Sequence, residues 1–198
     1  MLSTAKIVLM RRTLVCAGLS LALAVTACST PHMISTDSKP TLAIKKNKAV
    51  LVIIRPKSAS YSQFVIDNYL DGRMIGQTCG FSYFVVEVDP GMHYLTANAQ
   101  NRHTAYLNFV AGRIYFLQQG IFPGGQAPTT RYIPLTFTEA KMQINEPKMV
   151  YLVNNTSNPA ADMLAKDFDE EVKRYEKEVK ENHNSHKSIR EYHGYDRM

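Results

Sequence analysis

The sequence predicts an all-β protein: a small antiparallel β-sandwich of about eight strands in about 100 residues, the spacing usual for sandwiches and barrels, followed by a C-terminal amphipathic helix. Three observations carry this. Short runs rich in β-branched and aromatic residues recur from position 50 to position 138. Two of the breaks between them, Asp71-Gly72 and Asp89-Pro90-Gly91, are tight-turn sequences. Beyond position 158 the apolar period changes from a strand's to a helix's.

Residues 50–54 (Val-Leu-Val-Ile-Ile) form an unbroken aliphatic run that ends at Arg55-Pro56. Residues 64–70 give a second strand. Asp71-Gly72 follows; Asp and Gly both tolerate positive φ, so Asp71 and Gly72 predict a two-residue hairpin turn into a return strand at 73–77. Residues 81–88 are apolar and aromatic on both faces, as in a buried strand. Pro90 presets φ and Gly91 takes the left-handed position of the next turn, and 93–98 continues the meander. Residues 106–110 and 113–119 are expected to pair across Ala111-Gly112. Pro123-Gly124-Gly125 opens a loop, and 131–138 makes a last strand, on an edge because Pro134 cannot donate to a ladder. A domain of this size can hold one core. In the tail, Leu164, Phe168, Val172, Tyr175 and Val179 are spaced 4, 4, 3 and 4, one stripe of a helix. The stripe covers only about two and a half heptads, short of a sustained coiled coil. It therefore predicts a helix lying on the sandwich, with docking of a partner through the same five residues as the alternative. After Asn182 the stripe is lost and a frayed end is expected.

The N-terminus has another logic. Lys6, Arg11 and Arg12 precede an apolar run at 14–24, then the small residues Val25-Thr26-Ala27 and a cysteine, Cys28. Basic, apolar and small-residue regions in that order describe a secretory signal. Residues 14–27 number 14, too few for a span, which needs about 20. Met10 offers a second start with a more compact basic region. Val25-Thr26-Ala27-Cys28 resembles the bacterial lipobox. That resemblance implies cleavage between Ala27 and Cys28, a diacylglycerol on the Cys28 thiol, and an acylated amine. Ser29, in place of an Asp, implies by the same resemblance the periplasmic face of the outer membrane. The expected organisation is thus 1–27 signal peptide, 28–47 polar tether, 48–145 β-sandwich, and 146–198 linker, amphipathic helix and frayed tail.

Charge and cysteines change with the cut. The chain carries 23 Lys and Arg against 17 Asp and Glu, a formal +6. Three of the cations belong to the signal, leaving +3, a mild excess and no nucleic-acid footprint. Cys16 leaves with the signal and Cys28 takes lipid, so Cys79 is expected to stand alone, with no disulfide within the mature chain.

The stretch Asp71-Gly72-Arg73-Met74-Ile75-Gly76, an aromatic strand, then Pro90-Gly91-Met92-His93-Tyr94, with Ala111-Gly112-Arg113-Ile114-Tyr115-Phe116 beyond, resembles the small sandwich domains of bacterial lipoproteins grouped as a domain of unknown function. It is also similar to PEGA-type surface domains. The resemblance implies a fold; it brings no catalytic residues.

Candidate chemistry is sparse. The sequence has no Gly-x-Ser-x-Gly elbow, His-Glu-x-x-His, Cys-x-x-Cys or phosphate loop. Cys79 with His93 or His103 could make a nucleophile pair, against the plainer reading of a half-buried apolar cysteine. Asp67, Asp71, Glu87 and Asp89 lack calcium-loop spacing. His183, His186 and His193 share a face only if the helix continues. Tyr61, Tyr69, Tyr83 and Tyr132 could line a glycan or peptide face, but Tyr also suits half-buried strands. The expectation is a lipid-anchored, non-enzymatic envelope module without cofactor or metal. It would bind an envelope protein or glycan and no nucleic acid, with an envelope-complex subunit docking through the tail helix as the alternative and a Cys79-dependent enzyme as the remotest.

Overall fold

The computed structural model describes residues 32–40, 42–57, 61–124, 128–146, 149–154, 161–182, 184 and 186–196. Cys28 and the cleavage site at Ala27, like His183, lie outside the described residues.

Among the described residues ten strands form two sheets. They are β1 (Met33–Thr36), β2 (Ala49–Arg55), β3 (Ile66–Leu70), β4 (Arg73–Thr78), β5 (Ser82–Val88), β6 (Gly91–Asn98), β7 (Arg102–Phe109), β8 (Ile114–Phe122), β9 (Thr129–Pro134) and β10 (Val150–Asn154). Helix α1 (Phe137–Ile144) precedes β10; α2 (Ala165–Glu181) and the short α3 (Lys187–Arg190) follow it. The first sheet has the order β1-β10-β5-β2-β8-β9 and the second β4-β3-β6-β7.

The second sheet follows the local signals. Asp71 (φ 49°) and Gly72 (φ 79°) both occupy the left-handed region, so the β3–β4 hairpin has the turn that Asp-Gly favours. A register shift between Asn68 and Tyr69 marks a bulge, which strengthens local twist. Strands β3, β6 and β7 then pair antiparallel in succession.

The first sheet corrects the expectation of a strictly antiparallel, eight-stranded fold. Strand β2 pairs antiparallel with β5 but parallel with β8, and β10 pairs parallel with β5. The Ala111-Gly112 hairpin does not form. Gly112 (φ 79°) sits in a connection that carries the chain from β7 in the second sheet to β8 in the first, tied to the Lys48 carbonyl by a 2.9 Å bond. The reason is visible in β2: buried along its whole length, it needs strands on both sides, and β8 supplies the second. Pro90 and Gly91 likewise bridge two sheets, between β5 and β6, instead of closing a hairpin. Strand β9 is an edge, as Pro134 requires.

The folded body also extends beyond 48–145. Strand β1 comes from the expected tether and β10 from the expected linker, and they pair with each other antiparallel. The stretch after Asn182, expected to fray, contains α3 with buried Ile189. Tyr195 exchanges backbone bonds with Ile114 at 2.7 and 2.8 Å. It takes the free edge of β8 where β9, which starts pairing at Leu117, does not reach.

Two apolar layers result. Leu51, Ile53, Phe84, Leu95, Leu107 and Leu117 meet between the sheets. On the outer side of the first sheet, Val50, Val52, Ile54 and Phe116 are covered by Leu42, Leu135 and α1. Helix α1 starts in a capping box: the Glu139 N–H donates to Thr136 Oγ1 and the Thr136 N–H to Glu139 Oε2.

Candidate functional site

The tail helix lies on the second sheet of its own domain. Tyr94 and Tyr106, cross-strand partners on β6 and β7, stack at 4.3 Å. Phe168 and Tyr175 approach Tyr94 edge-on at 6.1 and 6.0 Å. Polar ties flank these rings. Arg102 reaches Asp167 at 3.3 Å and Glu171 at 3.7 Å. Buried Glu171 also accepts from Thr104 and pairs with Arg174. Glu176 accepts from the Tyr94 hydroxyl at 3.2 Å. The approach to the helix is fixed at the hairpin turn: the Met163 N–H donates to the Gly72 carbonyl at 2.8 Å, and the Met74 N–H to Asp162.

Of the five residues offered as a docking stripe, then, Phe168 and Tyr175 are spent within the molecule, and Val172 and Val179 are partly covered. Leu164 is the exception. It stands at the N-cap and is 72% exposed, because the chain bends into the helix there and its side chain falls outside the packed face.

The other candidate groups are dispersed. Asp71 accepts from the Tyr94 N–H and meets His93 Nδ1 at 2.5 Å. Glu87 pairs with Lys45, Asp89 with Lys48, and Asp67 accepts from Gln77. No metal-holding group of three or more His, Cys, Asp or Glu occurs among the described residues. His186 bonds Glu178 at 3.1 Å, whereas the His193 carbonyl accepts from Arg113, so His186 and His193 have separate environments. The four tyrosines share no face. Tyr132 lies in the core with its hydroxyl on Asn68 at 2.7 Å, Tyr83 is 1% exposed on the outer side of the first sheet, and Tyr61 packs on Phe64.

In the full-length chain Cys79 is disulfide-bonded, whereas the expectation of a lone cysteine concerned the mature chain after the cut. His93 is held by Asp71, and His103 packs on His186 and Tyr132. Burial pushes His103 down to about 3, with the charges of His186, Arg131 and Arg174 acting in the same direction, so its ring is neutral at physiological pH.

Two features have weak sequence signals. Arg55, 1% exposed, ends the aliphatic strand β2 and clamps a loop by donating to the carbonyls of Tyr61, Phe64 and Thr78. Burial lowers it to about 10, so it remains charged at neutral pH. The Arg55-Pro56 ending of an apolar run is its only trace in the sequence. The second is a buried polar set between the sheets: Gln119 donates to Asn68 at 2.6 Å and accepts from Thr78.

An apolar recess lies on the outer side of the first sheet. It has a volume of about 190 Å³, between α1 and the segment before β2, with Leu42, Phe116, Phe137 and Ile144 as walls. Tyr83 forms part of its lining; burial raises Tyr83 to about 12, so the phenol stays protonated. Lys39 and Lys141 stand at the recess, and among the described residues no acidic side chain lines it. Lys39 Nζ reaches the Ile144 carbonyl at 3.0 Å and closes the segment against α1.

Compared with known proteins, the chain matches no family model, no curated protein and no solved structure. The likeness to lipoprotein sandwich and PEGA-type domains therefore rests on turn residues alone.

Proposed function

We propose that this chain is a lipid-anchored, non-enzymatic module of the bacterial cell envelope, held by Cys28 at the periplasmic face of the outer membrane, where it binds or scaffolds an envelope protein or glycan. The observation that carries the reading is the order of the chain. Val25-Thr26-Ala27-Cys28 stands five residues before Met33, where the first strand begins. A cut before Cys28 thus spares every described strand. Among the described residues no helix is long and apolar enough to cross a membrane.

The cysteines sharpen the test. The chain has three, Cys16, Cys28 and Cys79. A thioether on Cys28 and loss of Cys16 leave Cys79 no second thiol in the mature chain. Lipidation and an internal Cys79 disulfide are therefore exclusive states. Changing Cys28 to Ala should abolish fatty-acid labelling and release the protein from the membrane fraction. The mature wild-type mass should show cleavage before Cys28 plus acyl groups, with Cys79 outside any internal disulfide. Label persisting in Cys28→Ala would overturn the anchor. A partner should then be sought by recovery with the lipidated protein from its own membranes.

A further inference from the structure

The outer side of the first sheet carries apolar residues that its cover does not reach. Ile34 on β1 and Val153 on β10 are directly opposed and are 51% and 40% exposed. Alternation fixes their side. Leu152 points into the inter-sheet core, so Val153 and Tyr151 point outward. Tyr151 contacts Tyr83 at 5.1 Å, and Tyr83 borders the recess flanked by Lys39 and Lys141. Met142 on α1, 67% exposed, lies beyond it beside Phe137. One side of the molecule thus runs from an apolar sheet edge, through an apolar recess with two cations, to an exposed methionine.

The distance to the anchor says what covers this side. Met33 stands five positions after Cys28, and an extended chain spans at most about 3.3–3.6 Å per position, or about 18 Å in all. A lipidated Cys28 sits at headgroup level, so β1 cannot leave the bilayer surface by more than that. Helix α2 lies on the far side of both sheets. Sheets pack about 10 Å apart, which puts Leu164 well beyond the reach of the tether.

We propose that the outer face of the first sheet, from Ile34 and Val153 to the recess between Lys39 and Lys141, lies on the anionic phospholipid surface into which the Cys28 lipid inserts. This rests on lipidation of Cys28. The apolar pair and Met142 enter the interface as a monotopic face does, and the two lysines meet lipid phosphates. Binding by this face fixes the orientation of the domain and turns α2 and Leu164 toward the periplasm.

The chain contains no tryptophan, so one introduced Trp reports alone. Lipidated full-length protein, its acylation checked by mass, is placed in phosphatidylglycerol-containing vesicles with brominated acyl chains. Val153→Trp should lose its emission several-fold and shift to the blue, while Leu164→Trp should be unchanged. Ile34→Trp serves as the second variant should Val153→Trp fail to fold. Equal quenching at both sites, quenching at Leu164→Trp alone, or none at Val153→Trp in a protein shown to be acylated would overturn the proposal and leave the anchor standing. So would protection of Val153→Trp by self-association into a dimer. An unmodified Cys28 in the mass spectrum would instead remove the anchor, and this proposal with it.

Discussion

The two sheets were assembled by different rules. The second uses β3, β4, β6 and β7, drawn from residues 66–109, and every pairing is antiparallel. The first gathers strands from Met33 to Asn154 and includes two parallel pairs. Turn chemistry decides the former, because Asp71-Gly72 sets both chain reversal and register. Burial decides the latter. Strand β2 has no polar face to turn toward solvent, so it takes a centre position, and strands remote in sequence must flank it. Local pairing thus suffices for one half of the sandwich, and the other half needs the tail.

The largest test of that contrast is truncation. A fragment of residues 48–145 keeps all of the second sheet but loses β1, β10, α2 and α3. It strips β5 of its parallel neighbour and uncovers Tyr94 and Tyr106. We expect aggregation or a melt without cooperativity, while residues 28–198 melt in one transition by circular dichroism. A cooperative β melt from the short fragment would mean that the first sheet closes without its remote strands.

A smaller effect is expected at the point where hairpin and tail meet. Gly72→Val forces a β-branched residue to φ +79° and places a Cβ 3.3 Å from the Phe168 ring. Strain of this kind costs about 1–3 kcal/mol, so the denaturation midpoint should fall accordingly. Leu164→Ser, at an exposed site, should stay within about 0.5 kcal/mol of wild type. Equal effects of the two would break the assignment of which tail residues pack.

A further effect concerns acid. His103 is neutral in the fold, with its pKa lowered to about 3, whereas an unfolded histidine titrates near 6.5. The unfolded chain therefore binds the extra proton between these values. Its contribution leaves stability untouched above about pH 6.5 and lowers it as pH falls toward 3, by at most about 1.4 kcal/mol per pH unit. Since the ring is partly accessible to solvent, a smaller slope is expected. Melting curves of wild type and His103→Gln between pH 7 and 5 should converge; parallel curves would show that His103 takes up its proton in the folded state.

What the sequence revealed follows the same division. The hairpin at Asp71-Gly72, the edge position of Pro134 and the packed tail stripe are written in neighbouring residues. The parallel partners of β2 and β5 are not, since period-2 runs mark a strand without naming its neighbour. Strand β1 was hidden by the polar residues around Met33-Ile34, and Tyr192 and Tyr195 by the polar tail. The Tyr192 hydroxyl accepts from the Phe116 N–H at 3.0 Å and donates to the Leu135 carbonyl, long-range contacts with no sequence period. At the candidate sites, residue type suggested Cys79 chemistry and a tyrosine face, and topology sent those side chains apart.

Amide hydrogen exchange on the intact mature chain tests the central claim most directly, that remote strands and the tail are integral parts of one cooperative sandwich. Amides of Tyr151 to Val153 in β10 and of Phe168 to Tyr175 in α2 should exchange only with global unfolding, as slowly as those of Val52 and Ile53 in β2. If β10 and α2 exchange as fast as an unstructured tail while β2 stays protected, the domain ends where the local signals end and the account is wrong.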